Sequence, residues 1–148
     1  MRGGTGSARA ARGRQPVIPD IRTAVQAALA GDWSPLLGTA MPGKHWADNA
    51  RCTGRDADLF FPGSDDPWIS PEKVRRRQGS SLNRPLNLCA ACPLPVASRC
   101  LVEALRQDDE YGIRAGLLAS ERSLLRQAWK QRRRSAGADV ASAASRAA

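Results

Sequence analysis

Cys89-Ala90-Ala91-Cys92-Pro93-Leu94-Pro95-Val96-Ala97-Ser98-Arg99-Cys100 holds three of the chain's four cysteines, and Cys52 is the fourth. A Cys-x2-Cys pair points two thiolates into one small volume from a single turn, with backbone amides near enough to soften their charge. A third thiolate on the following helix and a fourth from a separate segment close a four-sulfur cage. Such a cage suits a structural zinc ion or an iron–sulfur cluster. Two disulfides, or four unconnected core cysteines, are the plainer readings. Scattered core cysteines seldom gather around one Cys-x2-Cys nucleus, so the spacing favours a metal or cluster site.

Composition narrows the class. The chain has 148 residues, 23 Lys+Arg against 14 Asp+Glu and a net charge of +9. That length predicts one domain with room for tails. A basic balance of this size points to a polyanionic partner, most often nucleic acid. Aromatic residues make up only 5%, so the core is small and a bound metal centre would help to hold it. No apolar run approaches the roughly 20 residues of a membrane helix, so no membrane role is expected. No secretory signal is visible, and a cytoplasmic, reducing location argues against resting disulfides.

Residues 1 to 18 are rich in Gly, Arg and Ala without acids, and read as a disordered basic tail. A domain spanning 19–134 follows. Asp20 is a predicted N-cap for a helix carrying Ile21, Val25 and Leu29 on one face, with Gly31 past its end. Trp33, Leu36 and Leu37 fold back on that stripe. A short helix over 45–52 delivers Cys52, and His45, the only histidine, is left out of the ligand set. Asp58-Leu59-Phe60-Phe61-Pro62 is an extended apolar segment, fit to wall a metal site or simply to fill the core. Ser70-Pro71 caps a helix to Gln78, and 79–88 is a polar connection.

Pro93 and Pro95 fit only at a helix start. Val96, Cys100, Leu101, Ala104 and Leu105 then keep helical period, which places Cys100 inward. The acidic Asp108-Asp109-Glu110 stops that helix. Tyr111-Gly112-Ile113-Arg114-Ala115-Gly116 is a tight turn. The last helix runs from Ser120, its cap, to Arg134, with Leu124, Leu125, Ala128 and Trp129 inward. Arg122, Arg126, Lys130, Arg132, Arg133 and Arg134 crowd the other face and end, and suit phosphate contact without sequence choice. Residues 135–148 read as a disordered Ala/Ser tail.

From Trp46 to Arg134 the chain resembles the WhiB-like family of actinobacterial transcription regulators. Four features carry the resemblance in order. They are Trp46 through Cys52, Asp58-Leu59-Phe60-Phe61-Pro62, Cys89-x2-Cys92-Pro93 with Cys100 and Leu101, and Gly112-Ile113-Arg114-Ala115-Gly116 before Glu121-Arg122 and a basic helix.

The resemblance implies an all-α bundle of short helices around one [4Fe-4S] cluster held by Cys52, Cys89, Cys92 and Cys100. It implies a redox- or nitric-oxide-responsive regulator, not an enzyme, bound to the C-terminal domain of the primary RNA polymerase sigma factor. Phe60, Phe61, Gly112, Ile113, Arg114 and Gly116 would then shape the cluster pocket and the sigma-facing surface. Arg126, Lys130 and Arg132 to Arg134 would meet promoter DNA. A zinc-bound binding module and a cluster-free disulfide reductase using Cys89 and Cys92 are the alternatives.

Two departures from the family pattern stand out. Seven residues, not the usual five, separate Cys92 from Cys100, and Pro93-Leu94-Pro95 is expected to absorb the extra two. The turn usually reads Gly-(Val/Ile)-Trp-Gly-Gly, so Arg114 and Ala115 stand where the family has Trp and Gly.

Overall fold

A first turn with its amides satisfied starts each of three helices. Asp20 accepts the Thr23 amide at 2.8 Å and opens α1, Ile21–Leu29. Asp32 accepts the Ser34 amide at 3.2 Å and leads into α2, Ser34–Thr39. Ser70 accepts the Lys73 amide and opens α3, Pro71–Gln78, with Pro71 at its first position. Asp20 and Ser70 are N-caps, and Asp32, ahead of the Trp33 N-cap, likewise satisfies an amide that a helix start leaves orphaned. α4 (Asn83–Ala90), α5 (Leu94–Arg106) and α6 (Ala119–Ala147) complete the α-helices. Short 3₁₀ turns lie at Trp46–Asn49, Ala57–Phe60 and Gly79–Leu82.

These elements belong to a computed structural model that describes residues 20–63 and 66–147, with side chains as far as 137. The predicted basic tail over 1–18 lies outside the described residues. Among those described there is no β-strand, only an isolated antiparallel bridge between Arg114 and Leu117. The architecture is helical, as expected. No single described helix is long and apolar enough to cross a membrane.

The predicted elements differ from the observed ones at several places. In α1, Ala24, Val25 and Ala28 are buried while Leu29 is exposed, so small residues let α1 approach α2 and α6 closely. The 45–52 helix is a single 3₁₀ turn, and Cys52 lies in the irregular turn after it. The Asp58–Phe60 stretch is 3₁₀, not extended, because Asp56 accepts the Asp58 amide and closes a turn. The 79–88 connection is helical, which puts Cys89 on the last turn of α4. Pro85 falls in the first turn of that helix, where its missing N–H costs nothing.

Leu94 and Pro95 form the first turn of α5, so the extra spacing before Cys100 enters the helix and not the loop. The expected Ala/Ser tail from 135 is instead helical as far as Ala147. Alanine is the strongest helix former, and no proline interrupts the stretch.

Two small cores form. One joins α1, α2, α5 and α6 through Trp33, Leu36, Leu101, Leu105, Leu125 and Trp129. The other joins Val74, Leu82, Ile113 and Leu118, with Phe60 and Leu86 against them. The link over residues 109–118 belongs to both, since Ala115 and Leu117 pack into the first core, Ile113 and Leu118 into the second.

Arg122 fixes this link. It is fully buried, not on the outer basic face as expected. Its Nη1 donates to the carbonyls of Gly112 at 2.6 Å and Leu117 at 3.1 Å. Its Nη2 donates to those of Tyr111 at 3.0 Å and Asp109 at 3.3 Å. One residue earlier Glu121 closes the start of α6, accepting the Leu118 amide at 3.0 Å, Arg22 at 2.8 Å and Arg75 at 3.0 Å. Burial raises the Glu121 pKa, but the Arg22 and Leu118 hydrogen bonds and the Arg75 charge outweigh it and hold the carboxyl below its ordinary value.

Arg122→Met keeps the aliphatic stem and removes every donor. It is expected to lower the unfolding free energy by about 3 kcal/mol, because buried carbonyls lose a charged partner. Urea unfolding checks this, and an unchanged midpoint would contradict the role given to Arg122.

Candidate functional site

The seam between the two cores is a cavity of about 290 Å³ lined by all four cysteines. Cys89 ends α4, Cys92 sits in the short link to α5, and Cys100 lies on α5 itself. Cys52 comes from the separate 50–54 turn and is exposed, whereas the other three are half-buried. None of the four is in a disulfide. Two anchors to α5 tie the chain ahead of Cys52 in place. Thr39 Oγ1 meets Ser98 Oγ at 2.8 Å, and the Met41 amide donates to the Pro95 carbonyl at 2.9 Å.

Donors face the sulfurs. The Arg51 amide lies 3.3 Å from Cys92 Sγ. The Gly116 amide lies near enough to Cys89, and the Ala115 amide and the Arg114 side chain near enough to Cys100, to pull those thiols down against burial. The turn can do this because Arg114 and Leu117 exchange two backbone hydrogen bonds, of 3.1 and 2.9 Å, around Ala115 and Gly116. Both central residues have positive φ, 54° and 78°, as a type I′ turn requires. A Cβ on Gly116 would sit 3.6 Å from Cys89 Cβ, so the backbone passes close to that cysteine.

Burial pushes the Cys89 thiol up to about 11, with the Gly116 amide opposing and the neighbouring cysteines adding to the rise. Burial raises Cys100 as well, against the pull of Arg114 and the Ala115 amide. Such sulfurs become thiolates at neutral pH when a positive centre displaces their protons. Among the described residues no three Cys, His, Asp or Glu side chains converge closely enough to share one metal ion. The four cysteines line one shared cavity.

Trp46, Phe60, Phe61, Val96 and Ile113 supply apolar wall. Arg99 stacks over Trp46 at 5.7 Å while bonding Glu103 and the Met41 carbonyl, which fixes that side. Phe61 is 55% exposed, so the rim opens beside it. The Ile113 amide donates to the Phe60 carbonyl at 2.7 Å and joins this wall to the turn. His45 is exposed and does not line the cavity.

Comparison with known proteins agrees with this geometry. The family model described as Transcription factor WhiB matches residues 46–125, from the cavity wall to the first turns of α6. The chain belongs to the WhiB family. The transcriptional regulator WhiB of Streptomyces coelicolor is 32% identical over 104 residues, covering 70% of this chain and 93% of the relative. WhiB2 of Mycobacterium tuberculosis is 31% identical over 81 residues, covering 55% of this chain and 73% of the relative. Both relatives are named as transcriptional regulators, not as enzymes. No solved structure gives a significant match.

The basic residues of this WhiB-family chain fall into two groups. Arg126 reaches Asp108 at 2.7 Å and Glu110 at 3.0 Å, and Lys130 reaches Asp108 at 3.2 Å. Their charge is spent on the acidic knuckle after α5. Arg132 lies over the rings of Trp129 and Trp33, at 5.4 and 5.9 Å. Arg133 and Arg134 are exposed without a carboxylate partner among the described residues. Leu124, expected inward, is 65% exposed.

Sequence reading missed the donors of Arg51, Ala115 and Gly116, since backbone amides leave no residue signature. It also missed the burial of Arg122, although the helical spacing of 122, 125 and 129 put it on the buried stripe.

Gly112 has φ 79°, and a Cβ there would lie 2.8 Å from the Phe61 ring. Gly112→Ala is expected to cost about 1–2 kcal/mol from the left-handed backbone alone, and to move Phe61 off the rim. Denaturant titration measures the loss, and full stability would contradict the strained position.

Proposed function

We propose that this WhiB-family protein is a DNA-binding transcription regulator whose four cysteines carry one [4Fe-4S] cluster responsive to nitric oxide or oxidants. We propose further that it works with the C-terminal domain of the primary sigma factor. The observation that supports the cluster best is the set of four cysteines around one cavity, with the Arg51 amide donating to Cys92 and further N–H groups near Cys89 and Cys100. Four separated thiolates suit a polynuclear group. A lone zinc ion needs sulfurs that converge within its shorter reach.

The residues fit the cluster by chemistry. Cys52, Cys89, Cys92 and Cys100 would hold it, and the Arg51, Ala115 and Gly116 amides would take up part of the sulfur charge. When bound, such a cluster supplies a centre that oxidants and nitric oxide attack. Cys52 is the exposed ligand, so the 50–54 turn is the side from which a reagent approaches. The group would bridge segments belonging to both small cores, so its loss would loosen the link over 109–118 and the surface around it.

Exposed Phe61 lies against Gly112 beside exposed Tyr111, and this apolar rim is the surface we assign to the sigma factor. The exposed Arg133 and Arg134, with Arg132 behind them, are assigned to DNA phosphates. Arg126 and Lys130 would contribute less, because each already faces a carboxylate.

Anaerobic protein titrated with nitric oxide tests the regulator directly. Visible absorbance is expected to bleach, and affinity for the isolated sigma C-terminal domain to change in parallel. Arg133→Gln with Arg134→Gln is expected to weaken promoter binding and to lower its dependence on salt by about two phosphate contacts. Bleaching with unchanged sigma and DNA affinity would contradict the switch.

A further inference from the structure

The guanidinium of Arg114 meets a carboxylate, and Arg114 lines the same cavity as the candidate ligand Cys100. Its Nε and Nη2 bond Asp109 Oδ2 at 3.0 and 2.8 Å. It also lines the four-cysteine cavity together with Cys100, and its charge opposes the burial that raises the Cys100 thiol. Guanidinium offers five N–H donors in a rigid fork, so two bonds to Asp109 leave others for sulfur.

Asp109 is itself held fast. Its amide donates to the Ala104 carbonyl at 2.9 Å, at the end of α5, and its carbonyl accepts from buried Arg122. The cation at Cys100 is therefore held in place from behind. It is only 36% exposed, so its charge works against low-dielectric surroundings, where it counts for more than in water. A turn that merely displayed a cation to a docking partner would leave that guanidinium without these inward bonds.

We infer that Arg114, positioned by Asp109, is an electrostatic tuning residue that sets the reduction potential of the group held by the four cysteines. This rests on the cluster reading given above and adds a residue to it. A fixed positive charge beside one sulfur favours the state with one more electron, because net charge and hydrogen bonds to sulfur set cluster potentials. The electron enters the cluster from an electrode through a mediator dye and leaves by the same route. No bond of the protein is made or broken.

The test is a mediated one-electron titration of anaerobic wild-type protein, Arg114→Gln and Arg114→Lys, each checked for helix content by circular dichroism. Gln keeps a donor and loses the charge, whereas Lys keeps the charge and loses the fork. The Gln variant is expected to be at least tenfold harder to reduce, a fall of about 59 mV. The Lys variant is expected to recover most of that shift. Equal potentials in all three, or equal shifts in both variants, would overturn the tuning role and leave the cluster reading standing.

A second readout needs no cluster. In metal-free protein the Arg114 Nε–H resonance is expected to move on Cys100→Ala as well as on Asp109→Asn. No response to the Cys100 change would overturn the contact, whatever the titration shows. Wild-type protein that takes up no iron would overturn the cluster reading and the tuning role together.

Discussion

Arg122 carries the constraint on which the rest of this structure depends. A cation with no exposed surface is costly unless its donors are occupied, and here both Nη atoms donate to carbonyls, those of Asp109, Tyr111, Gly112 and Leu117. Those carbonyls belong to an irregular link, in which the Leu117 carbonyl also accepts the Arg114 amide. Holding them fixes the path of residues 109–117, and that path decides which way the Ala115 and Gly116 amides point. Ala115 lines the cysteine cavity, and the Gly116 backbone passes close to Cys89. The same link packs its Ile113 and Leu118 into one core and its Ala115 and Leu117 into the other. Core, turn and site are thus one mechanical unit.

This arrangement explains how a chain with few aromatic residues and a net charge of +9 keeps a defined site. The acidic knuckle after α5 does double work. Asp108 and Glu110 take up Arg126 and Lys130 on α6, while Asp109 takes up Arg114 at the cavity. Charges that look like a uniform basic face in sequence are divided in space between internal pairing, aromatic stacking and open surface. The open share, at Arg133 and Arg134, is what remains for a polyanion.

Much of this was legible in the chain, for identifiable reasons. Asp20, Ser70 and the Pro93/Pro95 pair mark helix starts because capping and proline chemistry are local. The Cys-x2-Cys spacing and the period of Val96, Cys100 and Leu101 were readable as local signals, and the four cysteines line one cavity. Other features depended on contacts between distant segments. The 79–88 stretch looked polar yet is helical, since Leu82 and Leu86 find Val74 and Ile113 only after folding. Leu29 and Leu124 are exposed, and the inward positions belong to Ala28 on α1 and to Arg122 and Leu125 on α6. Arg114, unusual beside its family, could be noticed in sequence, but its partners Asp109 and Cys100 could not.

The central claim is that four separated thiols around one cavity hold an iron–sulfur cluster. The measurement that bears on it most directly is a count of iron, acid-labile sulfide and zinc on strictly anaerobic protein, with the visible spectrum of the same sample. About four irons and four sulfides per chain with a broad visible band are expected, since four cysteine thiolates serve one such cluster. One zinc per chain, no sulfide and no colour would contradict the claim, and the sensing mechanism would fall with it.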